Sequence, residues 1–302
     1  MIIEQRGLHA LDAVIQTQSF AKAAEQLFVT QPAISQRIKQ LENKFGQPLL
    51  IRTLPYKATP VGEKLLGLLR RTRLLEEHFL QELELELPGR LSVALNRDSL
   101  ETWFMHVLHK LRVLEMTNID IITDDQEVTI DYFRQGAVSA CITSYAKPLP
   151  GCECELLGYM DYLLLASPAF FQRYFDNNLS LQENMTTAPM ILFDSRDRMH
   201  HHYFKHFFNE VLTPQRYHMV PSVQGFKQFA LQGYGFGLIP RIDVASELAE
   251  GLLIEINPGK RWLLPLYWHY WQLPARQYQH FIRQVADDSR QYLIQSTDIV
   301  SL

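Results

Sequence analysis

The chain has 302 residues, 47% of them hydrophobic, and a formal net charge of −4. That length exceeds one domain of about 100–150 residues and predicts two or three folding units. No apolar run approaches the roughly 18 residues of a membrane span, and the opening MIIEQRGLHA lacks the basic-then-apolar order of a secretion signal, so the expectation is a cytoplasmic protein with no membrane partner.

Charge is unevenly spread. Residues 1–73 carry 11 basic and 5 acidic side chains, the remainder 18 and 28, so only the N-terminal end offers a surface for a polyanion. Leu8, Leu11, Val14 and Ile15 recur at helical spacing and predict a first amphipathic helix. Ser19 can cap a second, FAKAAEQL. After the break Phe28-Val29-Thr30 comes QPAISQRIKQLENKFG, with Thr30 as N-cap, Pro32 in the first turn and Gly46 as C-terminal stop. Ala33, Ile34, Ile38, Leu41 and Phe45 can face a core, which leaves Gln31, Ser35, Gln36 and Lys39 outside. A helix with free amides, a hydroxyl and a cation, following a short turn, suits the major groove of double-stranded DNA: Gln pairs with adenine, Lys or Arg with guanine, Ser with base edges or phosphate.

PLLIRTLPYKATPVG then predicts a strand at Leu49–Ile51, a turn at Pro55-Tyr56, and a wing that sets Arg52, Thr53 and Lys57 beside the recognition helix, in reach of phosphates. Thr59 caps a long helix from about Pro60 to Leu87, whose Leu65, Leu68, Leu69, Leu75, Phe79 and Leu83 form an apolar stripe suited to a second copy of itself.

These residues carry a resemblance. AAEQLFVTQPAISQRIKQLENKFGQPLLIRT, followed by TPVGEKLL, closely resembles the N-terminal signature of LysR-type transcriptional regulators. LHALDAVIQTQSF, NRDSLETW, LGYMDYLLLASPAFFQRYF and LYWH resemble the arginine- and lysine-responsive branch of that family. The resemblance implies a homodimer joined through the linker helices, commonly assembling to a tetramer, and a periplasmic-binding-protein-like effector domain of two α/β subdomains. By position it also places Thr30, Gln31, Pro32, Ser35, Gln36 and Lys39 on the recognition helix and Arg52 and Thr53 in the wing.

The remainder alternates short apolar runs with helical patterns, as an open α/β sheet does. RLSVALN reads as a strand, SLETWFMHVLHKL as a helix, Ile119–Ile122 as a strand, Val128–Phe133 as a helix and Val138–Ile142 as a strand. YMDYLLLAS, MILF, a helix around Phe226–Gln232, GFGLIP and LLIEI build a second unit; PLYWHYW returns, and a helix over Arg276–Leu293 closes the chain. Two sheets with crossings between them would leave a cleft. Small ligands sit beyond the carboxyl ends of such strands, against the first turns of helices. Asn96, Arg97, Asp98 and Ser99 occupy that position, Ser99 as a cap and carboxylate donor, Asp98 as acceptor for an ammonium group; Thr143, Ser144 and Asp194 are similar candidates, each also readable as a cap or turn. Pro221, Ser222, Val223 and Gln224 stand where the basic-amino-acid branch that the chain resembles tends to carry a polar and acidic run, and Asp124 and Asp125 are the candidate acids to compensate.

His200, His201, His202 and His206 include an i, i+4 pair without a third ligand at a recognised spacing, so no metal is expected. Cys141, Cys152 and Cys154 suggest packing. No phosphate loop, nucleophile elbow or dinucleotide fingerprint occurs, so neither a cofactor nor an enzyme is predicted. The reading is an α/β multidomain chain: a winged helix-turn-helix at 1–59, a linker helix at 60–89 and an effector domain at 90–302, with subdomain I at about 90–164 and 269–302 and subdomain II at about 165–268. Its function would be regulation of amino-acid export or biosynthesis genes, with DNA, RNA polymerase, lysine or arginine, and its own copies as partners. The rival readings are an architectural or replication-origin binder with a vestigial cleft, and a metal-dependent hydrolase built on His200–His206.

Overall fold

A computed structural model describes residues 4–82, 89–111, 117–211, 213–273 and 276–295. The first three helices are α1 (Gln5–Thr17), α2 (Phe20–Gln26) and α3 (Gln31–Phe45). They close on a core of Leu8, Leu11, Val14, Ala23, Ala24, Ile34, Ile38 and Leu41. The two alanines leave room for α2 to lie against its neighbours. The Ser19 hydroxyl accepts from the Lys22 N–H and caps α2, as its position predicts. Thr30 holds the N-cap position of α3 but makes no capping bond. The reason is local: Pro32 removes one of the two N–H groups a cap hydroxyl takes, and the other, on Ala33, bonds the Thr30 carbonyl at 3.0 Å. Gly46 ends α3 in the left-handed conformation.

The wing is a hairpin of β1 (Leu50–Ile51) and β2 (Lys57–Ala58). Glu42 of α3 pins its base, one carboxylate oxygen accepting from Leu49 N–H at 3.0 Å and Leu50 N–H at 3.4 Å, the other from Arg52 at 3.0 Å. At its far end, Gln18 gives and takes a hydrogen bond with the Tyr56 backbone. Thr59 caps α4 (Pro60–Glu82) by accepting from Gly62 N–H. Gly62 has no alternative here: a Cβ on it would stand 2.3 Å from the Leu49 carbonyl oxygen.

Helix α4 divides its apolar residues. Leu65, Leu66 and Leu69 bury themselves in the helix-turn-helix core, whereas Leu68, Leu75 and Phe79 face outward, the last two more than half exposed. Leu83, and the predicted run to Leu87, lie outside the described residues. Buried Asp12 of α1 takes Arg73 at 2.9 Å, which ties α4 to the DNA-binding end. On the other side, Gly67 packs against the Arg134 and Gln135 carbonyls, and Gly136 against the Gly67 carbonyl.

Beyond the linker the expected two sheets prove to be one seven-stranded sheet plus a two-stranded one. Strands β3 (Gly89–Leu95), β4 (Thr117–Thr123) and β5 (Ala140–Thr143) run parallel, with helices α5 and α6 (Thr129–Arg134) as crossovers. Helix α5 is continuous through Arg97–Ser99, a wide π-type turn Leu100–Phe104, and Met105–Lys110; the wide turn lets neighbouring Trp103 and Phe104 both reach the core. Strand β6 (Cys152–Ala166) and the return strand near the C-terminus, Trp262–Trp271, pair antiparallel along ten residues. These two join the lobes. Up to Tyr162 the long strand β6 pairs with the return strand; from Tyr162 on it pairs with Gly237–Pro240 and Ile254–Glu255. At that exchange Arg261 forks onto Asp161, with Nε 2.9 Å from Oδ1.

The second lobe adds helices α7 (Pro168–Tyr174) and α8 (Leu181–Thr187), strand β7 (Met190–Leu192), helix α9 (Met199–Phe208), strand β8 (Tyr217–Met219) and helix α10 (Val223–Leu231). Helix Arg276–Ser289 closes the first lobe, burying Tyr278, Phe281, Ile282 and Val285. No helix among the described residues is long and apolar enough to cross a membrane.

Candidate functional site

The free face of α3 carries the residues named for DNA. Thr30, Gln31, Pro32, Gln36 and Lys39 are exposed and Ser35 is half-buried, while Ile34, Ile38 and Leu41 point the other way. Arg52 and Thr53 are exposed at the end of β1. The Arg52 guanidinium spends one nitrogen on Glu42, so Arg52 also fastens the wing to the recognition helix.

Between the lobes lies a cleft of about 740 Å³ that is open to solvent. The carboxyl end of β3 and first turn of α5 bring Asn96, Arg97 and Asp98; the loop after β4 brings Asp124, Asp125 and Gln126; the loop after β7 brings Phe193, Asp194, Arg196 and Asp197. Tyr162 rises from the sheet at its floor, with His200, Val223, Phe226 and Asp243 beside it. Six aspartates and two arginines therefore line one cavity.

Asp98 is half-buried, and its Oδ2 accepts from the Tyr162 hydroxyl at 2.5 Å. Burial pushes its carboxyl up to about 6; the Tyr162 bond opposes that shift, and the charges of Asp197, Asp243 and Glu101 reinforce it. Burial alone would also raise Asp197, but the His200 ring and the N–H groups of Phe193 and Met199 outweigh it and hold that carboxyl at about 2. His200 accepts from Leu238 N–H through Nε2 at 3.4 Å, and its Nδ1 lies 3.6 Å from Asp197. Asp125 is held above the usual carboxylate range by burial and acidic neighbours. Asp243 is raised by burial against the pull of Lys227, which also grips Glu247 at 2.7 Å. Asp98 and Asp125 are half-buried, with no cation of the protein bonded to them among the described contacts. Such an arrangement can take up an ammonium or guanidinium group.

Of the residues read from sequence as effector contacts, Asn96, Asp98 and Asp194 line the cleft; Ser99, Thr143 and Ser144 do not. Asn96, not Ser99, holds the N-cap position of α5, and Ser99 is turned wholly into the core. Thr143 donates to the Gln126 carbonyl at 2.7 Å and Ser144 N–H reaches the same oxygen at 3.3 Å, so both shape the loop that presents Gln126. Pro221–Gln224 form the entry to α10, with Ser222 capping Gly225 N–H. Asp124 and Asp125 line the same cleft as Val223. Sequence reading missed Tyr162, Arg196, Asp197, His200 and Asp243. The Asp194-Asp197-His200 spacing of three, on a strand-to-helix turn, was the available signal.

The histidine run is explained by packing. His202 stacks on Trp262 and His206 meets the same indole edge-on, while His200 alone enters the cleft. Among the described residues no group of three or more His, Cys, Asp or Glu is placed to hold a metal. Cys141, Cys152 and Cys154 are free, and burial raises all three thiols.

Comparison with known proteins joins the two halves. Residues 5–63 match the bacterial regulatory helix-turn-helix protein, lysR family, and residues 85–290 match the LysR substrate binding domain. The chain is a LysR-type transcriptional regulator. It is 38% identical over 296 residues to the HTH-type transcriptional regulator ArgP of Photobacterium profundum, covering 97% of this chain and 99% of that one. With its counterpart from Aeromonas salmonicida the identity is 39%, covering 96% and 98%. Among solved structures, ArgP from Mycobacterium tuberculosis superposes with a TM-score of 0.85 at 33% identity, covering 98% of this regulator and 99% of that chain. LysG from Corynebacterium glutamicum with bound effector Arg gives 0.78 at 29%, covering 96% and 99%. This regulator is thus a DNA-binding protein of the ArgP and LysG kind that responds to a small effector, and its relatives are transcriptional regulators.

Proposed function

We propose that the cleft receives a basic amino acid, arginine or lysine, and that occupancy changes how paired recognition helices grip promoter DNA. The carrying observation is the lining itself: six aspartates against two arginines select a cation, and α10 begins at the cleft wall with Val223, where a helix N-terminus favours the α-carboxylate. The arginine bound to LysG supports the same reading. Titration calorimetry of the full chain tests it: arginine or lysine should give saturable heat and alter the DNA footprint, glutamate neither. Absence of heat with both basic amino acids refutes the reading.

In this reading Thr30, Gln31, Ser35, Gln36 and Lys39 face the major groove, with Pro32 shaping the first turn, and Arg52 and Thr53 meet phosphates. Asn96, Asp98 and Asp194 meet the effector. The outward stripe Leu68, Leu75 and Phe79 seats a second copy along α4, and dimers pair further into tetramers that recruit or obstruct RNA polymerase. The division taken is 1–59, 60–89 and 90–302, with lobes at about 90–164 plus 269–302 and about 165–268; the exchange of strand partners at Tyr162 on β6 supports a lobe boundary close to residue 164. The genes governed are those of amino-acid export or biosynthesis.

A further inference from the structure

We propose that Arg196 is a tethered competitor for the cationic end of the effector, setting the concentration at which the cleft fills; this rests on the basic-amino-acid reading. Arg196 belongs to the loop between β7 and α9. Its Nη2 lies 3.1 Å from Asp124 of the opposite lobe and 3.4 Å from Asp194 of its own loop. Its backbone N–H holds the Asp194 carboxylate at 2.7 Å, which fixes that end of the bridge. Burial would raise Asp124, but the Asp125 N–H, the Tyr132 hydroxyl and Arg196 together hold it low, so it is a ready anion. One guanidinium nitrogen thus spans two carboxylates from opposite walls of the cavity.

An arginine or lysine side chain entering the cleft seeks the same pair of anions. The cavity's other lining cation, Arg97, also crosses the cleft, 4.8 Å over the Phe193 ring, but it occupies no carboxylate pair there. Arg196 is itself no receiver for the effector's carboxylate, because an incoming carboxylate would be the third anion at that point. Its side chain is 56% exposed, and an exposed ion pair is weak enough to be displaced. Being tethered, it competes at a fixed, high effective concentration. The consequence is a raised threshold: the sensor ignores low levels of its ligand and responds when the free amino acid outcompetes the internal one.

The test is calorimetry of the full chain and its Arg196→Gln and Arg196→Lys variants with L-arginine and with L-citrulline, the uncharged counterpart. Removing two exposed ion pairs should tighten arginine binding about three- to tenfold. Citrulline binding should change less than about twofold, and Arg196→Lys should keep wild-type affinity because the tethered charge remains. Binding of arginine by Arg196→Gln alone would also support the proposal. If wild type binds arginine and Arg196→Gln binds it equally or more weakly, the competitor role is overturned while the effector reading stands. Equal tightening of arginine and citrulline overturns it too, since that reports a steric gate. If neither protein binds arginine, both readings fall.

Discussion

Replacing Asp98 with asparagine should stabilise the effector half and blunt its response to a cationic ligand at the same time. The folded carboxyl titrates at about 6 against 3.8 unperturbed, chiefly because it is buried. Two units correspond to about 3 kcal/mol of penalty for keeping it ionised. Asparagine can still accept from Tyr162 but carries its own desolvation cost, which leaves a gain of about 1–2 kcal/mol and a rise of about 3–6 °C in the melting temperature at pH 8. The pH dependence has a definite sign. Between 3.8 and about 6 the folded state keeps a proton that the unfolded chain has released, so stability from this group grows as pH falls through that window. The advantage of Asp98→Asn should therefore shrink from pH 8 to pH 5 and vanish by about pH 4. Differential scanning calorimetry across that range reads it directly. Arginine affinity at pH 8 should drop about tenfold or more as a charged partner is lost. An equal stability gap at pH 5 and pH 8, or a destabilised variant at pH 8, would refute the burial argument.

Two substitutions probe the DNA-binding end. Arg52→Ala should weaken binding to all operator sequences alike and reduce the salt slope by about 1, as read by fluorescence anisotropy over a salt series. If affinity falls with the slope unchanged, Arg52 acts only by fastening the wing to Glu42. Gly62→Ala would drive a methyl group to 2.3 Å from the Leu49 carbonyl oxygen, and should cost more than about 2 kcal/mol in thermal unfolding; a melting temperature within about 1 °C of wild type would show that α4 shifts freely against the wing.

The local parts of this molecule were legible in the sequence. In α3 the apolar residues Ile34, Ile38 and Leu41 fall on one face and the amides between them on the other, so periodicity alone separates core from DNA surface. The cleft was harder because its geometry is non-local. Tyr162 meets Asp98 from 64 residues away, a pairing that no local pattern encodes. The single large sheet was hidden for a related reason. The first four residues of β6, CECE, carry no apolar strand pattern, and their pairing partner at Trp268–Trp271 lies over a hundred residues downstream. Ser99 and Asn96 are both good cap residues three positions apart, so composition could not choose between them; the register of α5 did. Asp197 and His200 were within reach, since a spacing of three across a helix start brings them together.

The contact between α4 and the first lobe has a mechanical meaning. At Gly67 and Gly136 backbone meets backbone, with Arg71 lying over Trp271 nearby and Arg70 reaching the Gln135 carbonyl. Side chains cushion most helix-to-domain seams, because rotamers adjust and absorb small displacements. At these two glycines the gap is closed by backbone and by the stems of Arg70 and Arg71, which leaves little room to give. A tilt of the first lobe as the cleft fills would therefore bear on the middle of a 23-residue helix, within two turns of Arg73, which binds Asp12 of α1. Bulk added at either glycine would act as a shim, altering the angle at which the reading heads meet DNA while leaving both the pocket and the recognition helix chemically intact.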